Sequence, residues 1–271
     1  MPVYHGHCVF LPSNLVEDTK MLIFGHLFTK DTNMDKPVRI QSFQFLDGSW
    51  LKIIAMLTMV LDHIAVHLMK NNPVYYEPFF SIGNHHLMPY YLLHNIGRLA
   101  FPIFAFLIVE GFIHTHNRVK YGRNLLLFAF ISEIPWNLVF SNTLYYHYQN
   151  VMFTLFFGFL ALCAIEYYKN DTPKLALSLI VLFIVVYNFK ADFGYKGFGF
   201  IILLYALRHT KVVQAILGCC LLPSDWLGGL AFIPINMYNG KRGFIQGKWG
   251  KYFFYAFYPV HLFILYLIKW C

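Results

Sequence analysis

The sequence predicts an all-α polytopic integral membrane protein, a helical bundle with about nine transmembrane segments and a range of about eight to ten. Three observations predict this class. Of the 271 residues, 58% are hydrophobic and 13% are charged, whereas soluble domains have about 25% charged residues. Aromatic residues make up 20% of the chain, and amphipathic rings are enriched at membrane interfaces. The apolar residues also form long stretches that short basic loops separate.

Nine apolar stretches follow one another along the chain, and a full membrane span needs about 20 residues. In order, they are Leu51–Met69, Pro89–His114, Arg123–Phe140, Asn150–Tyr168, Leu175–Phe189, Gly197–Leu207, Val212–Leu222, Leu227–Ile235 and Tyr252–Lys269. The sixth, seventh and eighth stretches are short. We expect these three to be tilted, broken or re-entrant, because such segments are tolerated only where they pack inside protein.

Residues 1–46 differ from the rest because they contain no sustained apolar run. We interpret them as an N-terminal extension and residues 47–271 as the transmembrane domain. Met34 opens a compact basic lead-in to the first apolar stretch. We therefore expect residues 1–33 to be dispensable, as a non-native start or a disordered segment.

The net charge of +8 lies mainly in loops. Most of the 21 Lys and Arg residues fall on one side if the N-terminus is cytoplasmic and the segments alternate, as the positive-inside rule requires. The charge is therefore explained by topology, with the lipid bilayer as partner and no nucleic acid. The five cysteines form no CxxC pair, and we expect no metal site.

Several ionisable side chains lie inside the apolar stretches, where each costs at least about 2.5–3.5 kcal/mol on insertion scales. The ionisable residues are Asp62, His63, His67, Arg98, Glu110, Glu133 and His261, and the polar Asn137 accompanies them. Asn150 and Asp192 lie at helix ends. His63 carries the sharpest signal because a titratable imidazole follows a carboxylate at mid-membrane. Other readings remain open: a buried structural ion pair, or a His261 that bonds carbonyls freed by Pro259.

Long segments of the chain resemble one known family in order and spacing. They are LKIIAMLTMVLDHIAVHL, IGRLAFPIFAFLIVEGF, YGRNLLLFAFISEIPWNLVF, NVMFTLFFGFLAL, ADFGYKGFG, NMYNGKRG and KYFFYAFYPVHLFILYLI. From about Leu46 to the C-terminus, the sequence resembles the TraX family of membrane acetyltransferases. The resemblance implies acetyl-CoA as the donor, an intramembrane histidine and the bacterial inner membrane. The founding member of the family is linked to acetylation of the pilin N-terminus, and the family is distantly similar to the membrane acyltransferases of the cell envelope. The acceptor of this chain therefore stays open between a pilin N-terminus and an envelope or small-molecule substrate.

The resemblance also assigns site residues. His63 matches the Asp-His of the first helix, and it implies a catalytic set of His63, Asp62, Arg98 and Glu133. The residues implied to contact substrate or shape the site are Glu110, Asn137, Asn150, Asp192, Tyr258 and His261. Many relatives have Gly after the Asp-His-Ile, where this chain has Ala65; this mild change leaves the site intact.

By this hypothesis, His63 is the general base for an amine or hydroxyl acceptor. The alternative is that His63 itself forms an acyl intermediate. Asp62 or Glu133 would orient the ring, as an acid does behind histidine in catalytic triads. Arg98 would either neutralise Glu133 or stabilise the oxyanion on the thioester carbonyl.

The phosphates of acetyl-CoA need cations at the cytoplasmic mouth. The residues that we assign to the donor are Arg123, Asn239, Lys241, Arg242 and Lys248. The alternative is that these charges only set the topology.

Two other function classes compete with the acetyltransferase. A proton-coupled transporter would also use buried Asp, His, Arg and Glu residues, although no repeated half is visible in the sequence. A structural subunit would use its polar groups only to lock helices together.

Overall fold

The computed structural model describes residues 43–82 and 85–270, which form a helical bundle with one small hairpin. Residues 1–42 lie outside the described residues, and so do the predictions made for that part of the N-terminal extension. The α-helices are α1 (Gly48–Ile64), α2 (Pro89–Gly97), α3 (Ala100–His114), α4 (Arg118–Ser141), α5 (Val151–Tyr167), α6 (Thr172–Phe189), α7 (Gly194–Ala206), α8 (Lys211–Leu221), α9 (Phe232–Asn236) and α10 (Gly247–Trp270).

Helix α1 begins where the Asp47 carboxylate accepts hydrogen bonds from the backbone N–H groups of Ser49 and Trp50. Its end is unusual, because Ala65–Met69 continues as one turn of π-helix. Turns of this kind are rare and occur frequently at functional sites. The π-turn begins two residues after His63, the predicted base.

Two short elements connect α1 to α2. Pro73–Tyr76 forms a 3₁₀ turn, and the strands β1 (Phe80–Ile82) and β2 (His85–Leu87) pair antiparallel. Phe80 pairs with Leu87 in this hairpin. The hairpin returns the chain to the bundle at the end where α1 finishes.

Five helical stretches are long and apolar enough to cross a membrane, and they confirm the prediction of an all-α multi-pass bundle. They are Gly48–Met69, Pro89–His114, Arg118–Ser141, Thr172–Phe189 and Gly247–Trp270, with shorter apolar helices at Val151–Tyr167, Gly194–Ala206, Lys211–Leu221 and Leu227–Asn236. The second predicted stretch consists of two helices, because the α-helical pattern is interrupted at Arg98 and Leu99. The eighth begins as a 3₁₀ helix, Pro223–Ala231, before α9.

Helix α5 lies at the centre of the bundle and packs against α4 and α7. A side chain at Gly158 would collide with Ile201 of α7, so glycine permits this close approach of two helices. By contrast, α6 buries only Leu175 and Val186. Its other apolar side chains face outward, as a lipid-exposed helix requires.

The loop before α10 fixes the start of α1. Gly48 N–H donates to the Lys241 carbonyl at 2.8 Å, and Ile245 N–H donates to Ser49 Oγ at 2.8 Å. Gly243 has φ +92°, and a side chain there would strike Asp47 and Ser49. Helices α1 and α10 therefore start at the same end of the bundle and run side by side.

Candidate functional site

Two histidines from distant parts of the chain meet in the bundle. His63 Nδ1 lies 2.7 Å from His261 Nε2, and the two rings are parallel with centroids 5.0 Å apart. At a rise of about 1.5 Å per residue, His63 lies about 22 Å along α1 from Gly48. His261 is 7% exposed and His63 is partly buried. The pair therefore lies deep in the bundle.

The hydrogen bonds of His261 determine the tautomers of both rings. His261 Nδ1 lies 2.8 Å from the Phe257 carbonyl oxygen, which only accepts, so Nδ1 carries a proton. In the neutral ring, Nε2 is then an acceptor, and His63 Nδ1–H must donate to it. The proton of His63 is thus on Nδ1. The lone pair of His63 Nε2 is left for a reacting group.

A second chain of hydrogen bonds joins α1 to the break between α2 and α3. His94 Nδ1 lies 2.7 Å from Asp62 Oδ1, and Arg98 Nη2 donates to His94 Nε2 at 2.8 Å. The Asp62 and His94 side chains are each 22% exposed. A Cβ at Gly97 would overlap Asp62, so glycine allows α2 to approach α1 closely enough for this chain to form.

The expected pairing of His63 with Asp62 or Glu133 is therefore replaced by a pairing with His261. The side chains of adjacent helical residues point about 100° apart, and Asp62 accordingly faces α2 while His63 faces α10. Arg98 still lies within electrostatic range of His63. Asp62, His63 and Arg98 thus lie near one another. Asp62 bonds to His94, however, and does not orient the His63 ring as predicted.

A third polar group lies where α4, α5 and the loop before α7 meet. The Asn150 side-chain amide donates to Glu133 Oε2 and to the Ala129 carbonyl, while Asn150 Oδ1 caps α5 through Met152 N–H. Asp192 lies beside Asn150, because Asp192 N–H donates to the Gln149 carbonyl at 2.9 Å. The structure therefore brings Glu133, Asn150 and Asp192 together.

Tyr258 connects this third group to the histidines. Its ring centroid is 6.2 Å from that of His63, and its phenol interacts electrostatically with Asp192 and Glu133. Three buried atoms here lack a hydrogen bond of standard geometry among the described residues: Glu133 Oε1, Asn137 Oδ1 and the Tyr258 hydroxyl. Asn137 nevertheless lies close to Glu133, and the Val151 backbone lies close to the Tyr258 phenol. Asn137 also donates from Nδ2 to the Leu144 carbonyl. Unsatisfied buried polar atoms are costly, so they mark a place where a polar ligand is expected.

Cations gather at the end of the bundle where α1, α4 and α10 begin. We define the basic cluster as Lys52, Lys120, Arg242 and Lys251: Lys251 lies within electrostatic range of Lys120 and Arg242, and Lys52 of Arg242. Lys52 Nζ also lies 4.9 Å from the centroid of the Phe254 ring. The basic cluster thus spans three helices at the end of the bundle from which α1 leads to His63.

The other residues assigned to the donor border this cluster. Asn239 Oδ1 accepts from Lys241 N–H at 2.9 Å and shapes the loop that carries Arg242. Arg123 follows Lys120 on α4, and Lys248 lies in the first turn of α10; both are exposed.

Glu110 lies apart from the histidines. About 18 Å of helix separate it from Arg98. Its carboxylate is 3.7 Å from His114 Nδ1 and close to the Tyr238 phenol.

Sequence reasoning missed two residues of these groups. His94 precedes Arg98 by four positions, a spacing that places both on one helical face, and this spacing was the available signal. Lys52 lies inside the first predicted apolar stretch, Leu51–Met69, and is absent from the predicted donor residues. It precedes His63 by about 16 Å of helix, and this spacing was the available signal.

Comparisons with known proteins agree with the resemblance drawn from the motifs. A family model described as TraX protein matches residues 47–269. A probable fimbrial assembly protein FimC, serogroup H1, of Dichelobacter nodosus is 29% identical over 261 residues, covering 86% of this chain and 97% of that protein. No solved structure matches the chain.

Proposed function

The chain belongs to the TraX family, and from this premise we propose that it is a membrane-embedded acetyltransferase. It moves the acetyl group of acetyl-CoA to an amine, such as the N-terminal amino group of a pilus subunit. The similarity to a probable fimbrial assembly protein supports a substrate connected with pilus assembly. The membrane is the bacterial inner membrane, with the N-terminus in the cytoplasm.

One observation carries the proposal: His63 is held with its proton on Nδ1, so Nε2 is a basic nitrogen inside the bundle. A positioned neutral imidazole is the usual general base in enzymes. The histidine-to-carbonyl chain through His261 orients the ring. It takes the role that a carboxylate has in hydrolase triads.

The reaction proceeds by direct transfer. His63 Nε2 takes a proton from the acceptor nitrogen, which attacks the thioester carbonyl carbon and forms the N–C bond. The C–S bond then breaks, and the coenzyme leaves as a thiol after receiving the proton from His63. The Arg98 guanidinium, within electrostatic range of His63, stabilises the negative charge that develops on the carbonyl oxygen.

The unsatisfied atoms near Tyr258 favour an amine over a hydroxyl acceptor. Glu133 Oε1 and Asn137 Oδ1 only accept hydrogen bonds, and Asp192 adds a second carboxylate to this group. An ammonium offers three donors and a positive charge, whereas a hydroxyl offers one donor and no charge. The acceptor therefore binds between Glu133 and Tyr258 as an ammonium and releases one proton to water. The neutral amine then attacks and gives a second proton to His63.

The donor enters from the basic cluster, which faces the cytoplasm in this orientation. The phosphates of acetyl-CoA pair with Arg242, Lys251 and their neighbours, because charge-assisted hydrogen bonds to phosphate are strong. Lys52 and His63 lie on the same helix, about 16 Å apart along its axis. The flexible arm of the coenzyme spans this interval to bring the thioester to His63.

Labelled acetyl transfer by the purified protein in nanodiscs tests the proposal. We expect transfer from [¹⁴C]acetyl-CoA to a peptide with a free N-terminus, and none to the same peptide with a blocked N-terminus. His63→Ala should abolish transfer while the protein stays folded. His114→Ala, a histidine variant outside the site, should retain it. Full transfer by the His63 variant would refute the mechanism, and substrate uptake without acetylation would identify a carrier instead.

A further inference from the structure

We propose that His94 is a positioning residue that holds Arg98 in place for the reaction and does not itself take a proton. This inference rests on the proposed acetyl transfer and extends it to a residue outside the assigned catalytic set. It is carried by the hydrogen-bonded chain from Arg98 through His94 to Asp62.

The partners of His94 fix its state. A guanidinium only donates hydrogen bonds, so His94 Nε2 must present a lone pair to Arg98. A carboxylate only accepts, so His94 Nδ1 carries the proton and donates to Asp62. Both ring nitrogens are therefore occupied in the neutral ring. This separates His94 from His63, whose Nε2 lone pair is available.

The surroundings of His94 also suit a fixed ring. Tyr90 stacks on it with ring centroids 5.5 Å apart and planes at 15°. The absence of a side chain at Gly97 brings Asp62 within reach. The imidazole is thus held by a stacked ring and by two charged partners of opposite sign. Arg98 lies where the chain leaves the α-helical pattern between α2 and α3, and the bond to His94 is one of the contacts that hold its guanidinium.

In this chain of hydrogen bonds, the two histidines on either side of Asp62 have different roles. His63 exchanges a proton with the substrate, while His94 transmits the position of Asp62 to Arg98. Protonation of His94 would place an N–H group against the Arg98 N–H group and break the bond. Because only the neutral ring makes both bonds, His94 acts by holding Arg98 in position and not by transferring a proton.

A pair of substitutions separates geometry from proton transfer. The amide oxygen and nitrogen of glutamine are spaced like the two ring nitrogens, so His94→Gln can accept from Arg98 and donate to Asp62 without titrating. His94→Ala removes both bonds. We expect His94→Ala to lower kcat by about ten- to a hundredfold, the cost of a misplaced catalytic group, with little change in the KM for acetyl-CoA. His94→Gln should recover most of the lost kcat.

The outcomes are decisive in both directions. A His94→Gln variant as slow as His94→Ala would show that the ring must titrate, and unchanged kcat in His94→Ala would show that Arg98 needs no support. Both results would overturn the inference. A readout independent of transfer is ¹⁵N NMR of the His94 ring, which should show a neutral imidazole protonated on Nδ1. A wild-type protein with this signal and no transfer would refute the proposed function alone, whereas a ring protonated on Nε2 would refute the positioning role.

Discussion

Replacement of His261 by phenylalanine isolates the contribution of the histidine pair. Phenylalanine keeps the ring that stacks on Phe257, with centroids 5.2 Å apart in the native protein. It removes Nε2, the acceptor for His63 Nδ1–H. His63 keeps its own basic nitrogen in this variant and loses only the group that fixes its tautomer.

The expected effect on kcat follows from the lost bond to His63, because the second lost bond, from His261 Nδ1 to the Phe257 carbonyl, does not touch the His63 ring. A buried donor left without a partner costs about 1–3 kcal/mol, and about 1.36 kcal/mol corresponds to a factor of ten in rate. His261→Phe should therefore lower kcat by about 5- to 150-fold. His63→Ala removes the base itself, and general bases contribute about 10²- to 10⁴-fold, so its loss should be larger.

Steady-state acetyl transfer in nanodiscs measures both variants, with far-UV circular dichroism and thermal unfolding as tests of folding. His114→Ala serves as the matched histidine control and should keep wild-type kcat, because its ring lies near Glu110 at the other end of α3. A His261→Phe variant within twofold of wild type would refute the tautomer argument. One as slow as His63→Ala would show that His261 takes part in proton transfer.

Three further predictions follow from the same geometry. Glu133→Gln removes the negative charge beside the acceptor, and the KM for the amine peptide should rise about 10- to 150-fold, equivalent to about 1.5–3 kcal/mol for a charged hydrogen bond. Gly97→Ala forces a Cβ into Asp62, and thermal unfolding should show a lower Tm together with reduced kcat. Arg242→Gln combined with Lys251→Gln should raise the KM for acetyl-CoA several-fold and weaken its dependence on salt, since screening acts on exposed charges.

Each of these predictions has a distinct counter-result. An unchanged KM for the amine in Glu133→Gln would remove the carboxylate from the acceptor site. A Gly97→Ala protein of native stability would show that α2 and α1 shift apart without cost. An unchanged KM for acetyl-CoA in the double variant would leave the basic cluster with a topological role only. Gly199→Ala is the control for the glycine, since a side chain there meets nothing within 4 Å.

The segmentation of the chain was predictable because hydropathy is a strong, local signal. Each of the nine predicted apolar stretches is helical in the part of the chain that the structure describes. The break in the second stretch was not predicted, although the sequence carries a signal for it. Pro102 cannot donate a hydrogen bond to the carbonyl of Arg98, four residues earlier, and the α-helical pattern is interrupted at Arg98 and Leu99.

The polar side chains that meet inside the bundle were predictable from the sequence, since ionisable groups in apolar stretches are costly and rare. Their pairing was not. Asp62 and His63 are neighbours in sequence, yet helical geometry sends their side chains to different helices. His261 and His94 reach them through tertiary contacts. His94, near the start of the stretch Pro89–His114, was not among the predicted site residues.

The state of the His63 ring tests the account most directly. In protein labelled with ¹⁵N-histidine, the signal absent from His63→Ala belongs to His63 and reports which ring nitrogen carries the proton. We predict a neutral ring with the proton on Nδ1 and an unprotonated Nε2 at neutral pH. A ring protonated on Nε2, or on both nitrogens, would leave no basic nitrogen facing the substrate and would contradict the account.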